Sequence, residues 1–289
     1  METNRASRTA EHVALFRALE SSRRRDRLFD DPYAARFLSP RYRLVASLAR
    51  VPALGRRFER YIDTHWSGGP RGSAVVRTRL IDDLLTEALA GGATQIVLLG
   101  AGYDSRAYRI PAAAAATVFE VDHPATQAAK RRLIGASARQ ISFVPADLLH
   151  DDLDTELGRA GFRHGVRTVV IWEGVTNYLT AGAVDATLRF LAGATGAGSR
   201  IIFTYVDRAA LDGSRRFDGL AKWQAAVRDA GEPWTFGFDP AELPGYLAER
   251  GLTLTTDLST RDAAARYLTP LGRDEPTASF YRIVAAEVR

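Results

Sequence analysis

From residue 95 onward, short apolar runs alternate with stretches of helical spacing, and few folds accommodate that order. Residues 95–99, 117–121, 140–144, 168–172 and 200–206 each have the length and composition of a buried strand. Helical segments are expected between them, near 124–138, 153–160 and 182–194. Such alternation requires right-handed crossover connections and gives a parallel sheet covered by helices on both faces. Residues 208–238 break the pattern with many charges and with Phe217, Trp223, Trp234, Phe236 and Phe238, and read as a helical insertion or lid. A helix over 240–250, a strand at 252–256 and a terminal strand at 278–286 complete seven strands, the last open to an antiparallel placement. Residues 1–92 read as helices punctuated by Pro32, Pro40, Pro52 and Pro70, ending on a lead-in helix at 73–89. The expected organisation is an N-terminal helical cap over 1–92 and a Rossmann-like α/β core over 93–289, with the lid inserted after the fifth strand.

The carboxyl ends of four consecutive strands carry glycine or acid. Leu99-Gly-Ala-Gly-Tyr-Asp-Ser105 follows the first, and its glycines Gly100 and Gly102, flanking Ala101, allow backbone to approach a ligand closely. The second strand ends in Glu120-Val-Asp122, about twenty residues on, where a carboxylate can accept hydrogen bonds from ribose hydroxyls. Glu120 and Asp122 are rivals for that task. The third ends in Pro145-Ala-Asp147-Leu148, placing Asp147 to accept an adenine amino group and Leu148 to cover the ring. The fourth ends in Trp172-Glu173-Gly174. Carboxylates at buried strand ends are costly without partners, so the alignment points to a ligand.

A dinucleotide site would carry G-x-G-x-x-G, but Ser105 stands where the third glycine belongs. Acids also suit a pyrophosphate poorly. They suit a ribose, an α-ammonium and a sulfonium, and the chemistry points to S-adenosyl-L-methionine. The cofactor's carboxylate calls for a cation, and Arg77 and Arg79 lie just ahead of the first strand, each with Asp82 or Asp83 as a competing structural partner.

The ordered set Val76-Arg-Thr-Arg-Leu-Ile-Asp-Asp83, Val97-Leu-Leu-Gly-Ala-Gly-Tyr-Asp-Ser-Arg-Ala-Tyr-Arg109, Phe119-Glu-Val-Asp-His-Pro124, Pro145-Ala-Asp-Leu148 and Trp172-Glu-Gly-Val-Thr-Asn-Tyr-Leu179 resembles the leucine carboxyl methyltransferase superfamily, and most closely its actinobacterial branch. The resemblance covers roughly residues 70–180. It implies a class I methyltransferase fold in which Arg77 holds the cofactor carboxylate and Gly100 and Gly102 shape the loop under the methionine moiety. Asp122 takes the ribose, Asp147 and Leu148 contact adenine, Glu173 sits near the methionine amino group, and the N-terminal helices cap the cofactor.

Methyl transfer from a sulfonium is an in-line displacement that needs orientation and exclusion of water. A carboxylate acceptor needs no base at neutral pH, whereas a phenol or alcohol benefits from one. Candidate bases are few: His12, His65, His123, His150 and His164. His65 is picked out because it lies where the cap can form an acceptor pocket, and Tyr178 as a pocket wall or proton relay. Arg208, Arg215 and Arg216 are candidates for an anionic acceptor or for a solvated helix face. The expected reaction is O-methylation of a small-molecule secondary metabolite at a carboxylate or hydroxyl. Methylation of a protein or peptide C-terminus, a nucleotide-dependent oxidoreductase and a non-catalytic binding module are the alternatives.

Composition removes several classes. The chain has no cysteine, which excludes disulfides, thiolate nucleophiles and Cys-ligated zinc, and fits a cytoplasmic location. Its first residues open no secretory signal, and no apolar stretch reaches the roughly 20 residues that span a bilayer, so no membrane partner is expected. The net charge of +5 is carried almost wholly by arginine, Lys130 and Lys222 being the only lysines. The arginines are spread out, with one cluster at Arg23, Arg24, Arg25 and Arg27, so a nucleic-acid partner is not expected. No metal site stands out, and Asp151, Asp152 and Asp154 read as a helix N-terminus.

Overall fold

The computed structural model describes residues 8–66, 68–135 and 141–289. Its elements run α1 (Arg8–Ser22), α2 (Pro40–Leu48), α3 (Pro52–His65), α4 (Pro70–Ala90), β1 (Gln95–Leu99), α5 (Arg106–Arg109), β2 (Thr117–Asp122), α6 (Pro124–Ile134), β3 (Ile141–Pro145), α7 (Leu153–Arg159), β4 (Thr168–Trp172), α8 (Ala181–Ala194), β5 (Arg200–Val206), α9 (Ala209–Asp212), α10 (Leu220–Asp229), α11 (Leu243–Ala248), β6 (Leu252–Ser259), α12 (Thr260–Tyr267) and β7 (Tyr281–Val288). Prolines at the first turns of α2, α3, α4 and α6 preset the helical φ where the missing N–H is not needed. Asp152 caps α7 through the Thr155 N–H, as its acidic start suggested.

The seven strands form one sheet in the order β3-β2-β1-β4-β5-β7-β6. Strands β1 to β5 pair in parallel, and β7 pairs antiparallel with both β5 and β6. Strand order reverses between β1 and β4, which makes the crevice outside their carboxyl ends the expected ligand position. Alternate residues of the central strands feed two apolar clusters. Val97, Phe119, Val170 and Trp172 face α7, α8 and α11. Ile96, Leu98, Val118 and Val169 face α4 and the cap, and α1 contributes Leu15, Phe16 and Leu19 to that same cluster.

Several boundaries differ from the sequence reading. Asp30-Asp31-Pro32 does not start an α-helix: Asp31 accepts the Tyr33 and Ala34 N–H groups and opens a single 3-10 turn, Ala34–Phe37. The helix expected over 240–250 shortens to α11. Helix α12, which was not anticipated, is started by a capping box between Ser259 and Asp262. The helix expected to reach 138 is seen to Ile134, and residues 136–140 lie outside the described residues.

Candidate active site

The turn after β1 needs its first glycine. Gly100 has φ +63°, and an added Cβ there would stand 2.4 Å from the Val175 side chain beyond β4. The loops after β1 and β4 are thereby in direct contact. The Ala101 N–H donates to Val121 O at 3.0 Å, and the Gly102 N–H donates to the Asp122 carboxylate at 2.5 Å. The other Asp122 oxygen accepts the His123 N–H at 2.7 Å.

Asp122 stands apart from the other strand-end acids. Burial raises its pKa in spite of both backbone donors, and among the described residues no Arg or Lys pairs with it. Glu120, its rival, is 1% exposed, and its carboxylate lies 2.8 Å from the Lys130 ammonium. We therefore correct the placement of Glu120 as a ribose contact: it is one half of an ion pair inside the fold, on the face packed by α6. Asp147 has a partly exposed side chain that accepts the Leu149 N–H and meets His150 at 3.0 Å. Leu148 beside it is half-buried at the edge of the apolar layer.

Glu173, at the end of β4, receives two arginines. Arg77 Nε donates to one oxygen at 2.6 Å and Arg106 Nη1 to the other at 2.7 Å. Burial opposes ionisation of Glu173, but Arg106 and Arg77 outweigh it and hold its pKa below the ordinary range. Arg77 uses only Nε among the described residues, and its guanidinium carbon sits 5.2 Å over the Tyr281 ring. Its terminal nitrogens are left for another acceptor. Arg79 takes the structural alternative, pairing with Asp83 at 2.9 Å.

A second layer lies beneath, which the sequence reading did not single out. Arg106 also binds Asp82 at 2.8 Å and Asp104, and Arg109 binds Asp82 at 2.7 Å. Despite burial, Arg106 and its neighbours hold the Asp104 carboxyl at about 2, against an ordinary 3.8. The signal was present in the spacing: Asp104 and Arg106 follow the glycine loop directly. The network continues into the cap. Asp31 accepts the Ser105 hydroxyl at 2.6 Å, and Arg17 of α1 donates to Tyr103 O at 2.5 Å. A Cβ on Gly102 would lie 3.9 Å from that of Ala10, so α1 runs directly over the loop.

The side facing the lid is aromatic. Trp223 of α10 stacks parallel to Tyr281 at 5.8 Å, and Trp234 approaches Trp223 and Phe280 at 5.9 Å each. The lid's tail is tied to the loop after β4, where the Thr235 N–H donates to Asn177 O at 2.8 Å. It meets the cap through a Thr9–Glu232 hydrogen bond. Burial, with Tyr281 and Glu232 nearby, pushes the Tyr178 phenol up, so at neutral pH it is a hydroxyl and not a base. His65 is exposed at the end of α3, stacked on Tyr61, with Nδ1 2.8 Å from the Tyr61 carbonyl oxygen. Tyr178 is thus no ready base but keeps its hydroxyl for a relay or a pocket wall, and the His65 contact engages one ring nitrogen only. Arg208 pairs with Asp239 and Glu242, and Arg215 with Asp207, so both tie the lid to the segments that flank it.

Comparison with known proteins gives the family and the fold. A family model described as leucine carboxyl methyltransferase matches residues 10–192. A Frankia alni protein provisionally named an S-adenosyl-L-methionine-dependent methyltransferase is 34% identical over 285 residues, covering 96% of this chain and 93% of its own. A Mycolicibacterium gilvum protein with the same provisional name is 32% identical over 303 residues, covering 96% and 94%. A solved structure from Thermobifida fusca YX, provisionally assigned as a methyltransferase, superposes with a TM-score of 0.59 at 17% identity, covering 96% of this chain and 94% of that one. That likeness speaks for the fold.

Proposed function

The chain belongs to the leucine carboxyl methyltransferase family and is an S-adenosyl-L-methionine-dependent methyltransferase; on that premise we propose that it methylates oxygen, preferentially a carboxylate, of a small-molecule acceptor of secondary metabolism. The cofactor supplies a methyl group already activated on a sulfonium. The residues present fit it. Asp122 offers ribose hydroxyls a carboxylate that is fixed by backbone donors and, among the described residues, paired with no Arg or Lys. Arg77 offers its terminal nitrogens to the amino-acid carboxylate, while Glu173 stands beside it for the ammonium. Gly100, Ala101 and Gly102 supply the close backbone, and Asp147 and Leu148 flank the adenine side.

The observation that carries the reading is Asp122, an acid with no Arg or Lys partner among the described residues, fastened to the glycine loop where strand order reverses. The preference for a carboxylate rests on the acceptor side. Burial raises the Tyr178 pKa, so at neutral pH it is a hydroxyl and gives a hydroxyl acceptor no ready base. A carboxylate arrives ionised. The aromatic wall and the α1–lid contact then orient the acceptor and exclude water.

Two measurements test this. Calorimetric titration is expected to show S-adenosylhomocysteine binding and no NAD binding; the reverse would remove the methyltransferase reading. Methylated products from an acceptor panel are expected to release methanol in mild base, as esters do. Base-stable ether, amine or carbon-linked products would overturn the carboxylate preference.

A further inference from the structure

Five of the eight exposed large apolar side chains among the described residues lie within eighteen positions of one another, which singles out one face. Leu44, Leu48, Val51, Leu54 and Tyr61 are 37–61% exposed, all on the α2–α3 arm of the cap. Six arginines of the same arm are exposed: Arg41, Arg43, Arg50, Arg56, Arg57 and Arg60, of which Arg43 and Arg50 line the cleft beside it. The arm's two acids do not neutralise them. Glu59 turns inward to Arg23 at 2.7 Å, and Asp63 to Arg71 at 2.9 Å. None of the six arginines is in an ion pair among the described residues.

We propose that this arm docks on a bilayer rich in anionic lipid, with headgroup phosphates taken by the cleft beside it. Charge and apolar surface interleave here instead of separating. Helical spacing lines up Arg41, Leu44 and Leu48 on α2, and Leu54, Arg57 and Tyr61 on α3. Protein interfaces deplete charge at their core and leave it to the rim. A headgroup layer accepts the mixture, because apolar tips enter the acyl boundary while guanidinium groups snorkel to phosphates. A second copy of this chain would oppose six guanidinium groups with six more. The neighbouring cleft, about 660 Å³, is lined by Arg36, Arg43, Arg50 and Arg132. Its two acids are already engaged, Asp30 by Arg27 and Asp31 by Arg17 and Ser105. The inference departs from the expectation of no membrane partner, which rested on the lack of a spanning segment; a surface-lying arm needs none. It rests on the arm and the cleft beside it and holds whatever the methyl acceptor is.

The test is sedimentation of the full chain with vesicles of phosphatidylcholine, with and without 30 mole per cent phosphatidylglycerol. Binding to the anionic vesicles is expected to be about tenfold or more stronger. It should fall by a similar factor in R56E/R57E/R60E and in L44S/L48S/L54S, with S-adenosylhomocysteine affinity unchanged in both. If the charge reversal does not fold by circular dichroism, R56Q/R60Q replaces it. Equal binding to both vesicle types would overturn the proposal. So would unchanged binding of the leucine variant, which would reduce the effect to adsorption by charge. Binding to poly-glutamate without binding to vesicles would overturn it in favour of an acidic protein.

Discussion

The two sides of the crevice are built from different materials. Under the glycine loop, charged side chains are buried and multiply paired: Arg106 alone meets Asp82, Asp104 and Glu173. Facing the lid, rings pack on rings, with polar ties such as Thr235 to Asn177 and Thr9 to Glu232 at the margins. Fixed charges suit a ligand whose polar groups never vary, and a small shift of any one leaves a buried partner stranded. Ring surfaces tolerate exchange of shape at modest cost. A cofactor and a variable acceptor make those two demands.

If that contrast is right, the largest effect comes from Arg106→Ala. It strips buried Asp104 of its one ion-pair partner among the described residues and takes one of two arginines each from Asp82 and Glu173, and should lower stability by about 3–5 kcal/mol in chemical denaturation. A loss below 1 kcal/mol would mean the network is slack. Next, Asp122→Ala should weaken S-adenosylhomocysteine binding about tenfold or more, since a hydrogen bond to a charged acceptor contributes about 1.5–3 kcal/mol. Glu120→Gln should instead lower Tm and leave the affinity near wild type, and the opposite pattern would return the ribose to Glu120. On the lid side, Trp234→Ala should raise acceptor KM roughly two- to tenfold while cofactor Kd stays put. A change in cofactor Kd of the same size would erase the division between the two halves.

The smallest effect is a slope. Asp104, held at about 2 against 3.8, contributes stability that is full above about pH 4 and is lost as pH falls toward 2. Wild type should therefore lose more stability between pH 4 and pH 2 than Asp104→Asn does. Parallel curves would show that Asp104 gains nothing from Arg106.

The same contrast explains what could be read from sequence. Strand ends are legible because chain order fixes them: once the residues around Val97, Phe119 and Val170 are assigned as strands, Gly100, Asp122 and Glu173 must converge. Partnering is not, because it depends on rotamers and on distant elements. Glu120 and Asp122 are two residues apart on one face, yet Lys130 on α6 takes the first and leaves the second. Nothing in the spacing separates Arg77 from Arg79, which find Glu173 and Asp83. The lid read only as charged and aromatic, because Trp223 and Trp234 acquire their role from Phe280 and Tyr281, more than forty positions later.

Those two rings belong to the approach and start of β7, and β7 is threaded between β5 and β6 instead of being added at an edge. During folding, β6 has no sheet neighbour until β7 arrives, and β5 keeps an open edge until then. Such distant pairing closes late, after costly loop closure. The five parallel strands can thus form a recognisable half-sheet while the wall beneath the lid is still missing, and the last segment to dock finishes both the sheet and the chamber.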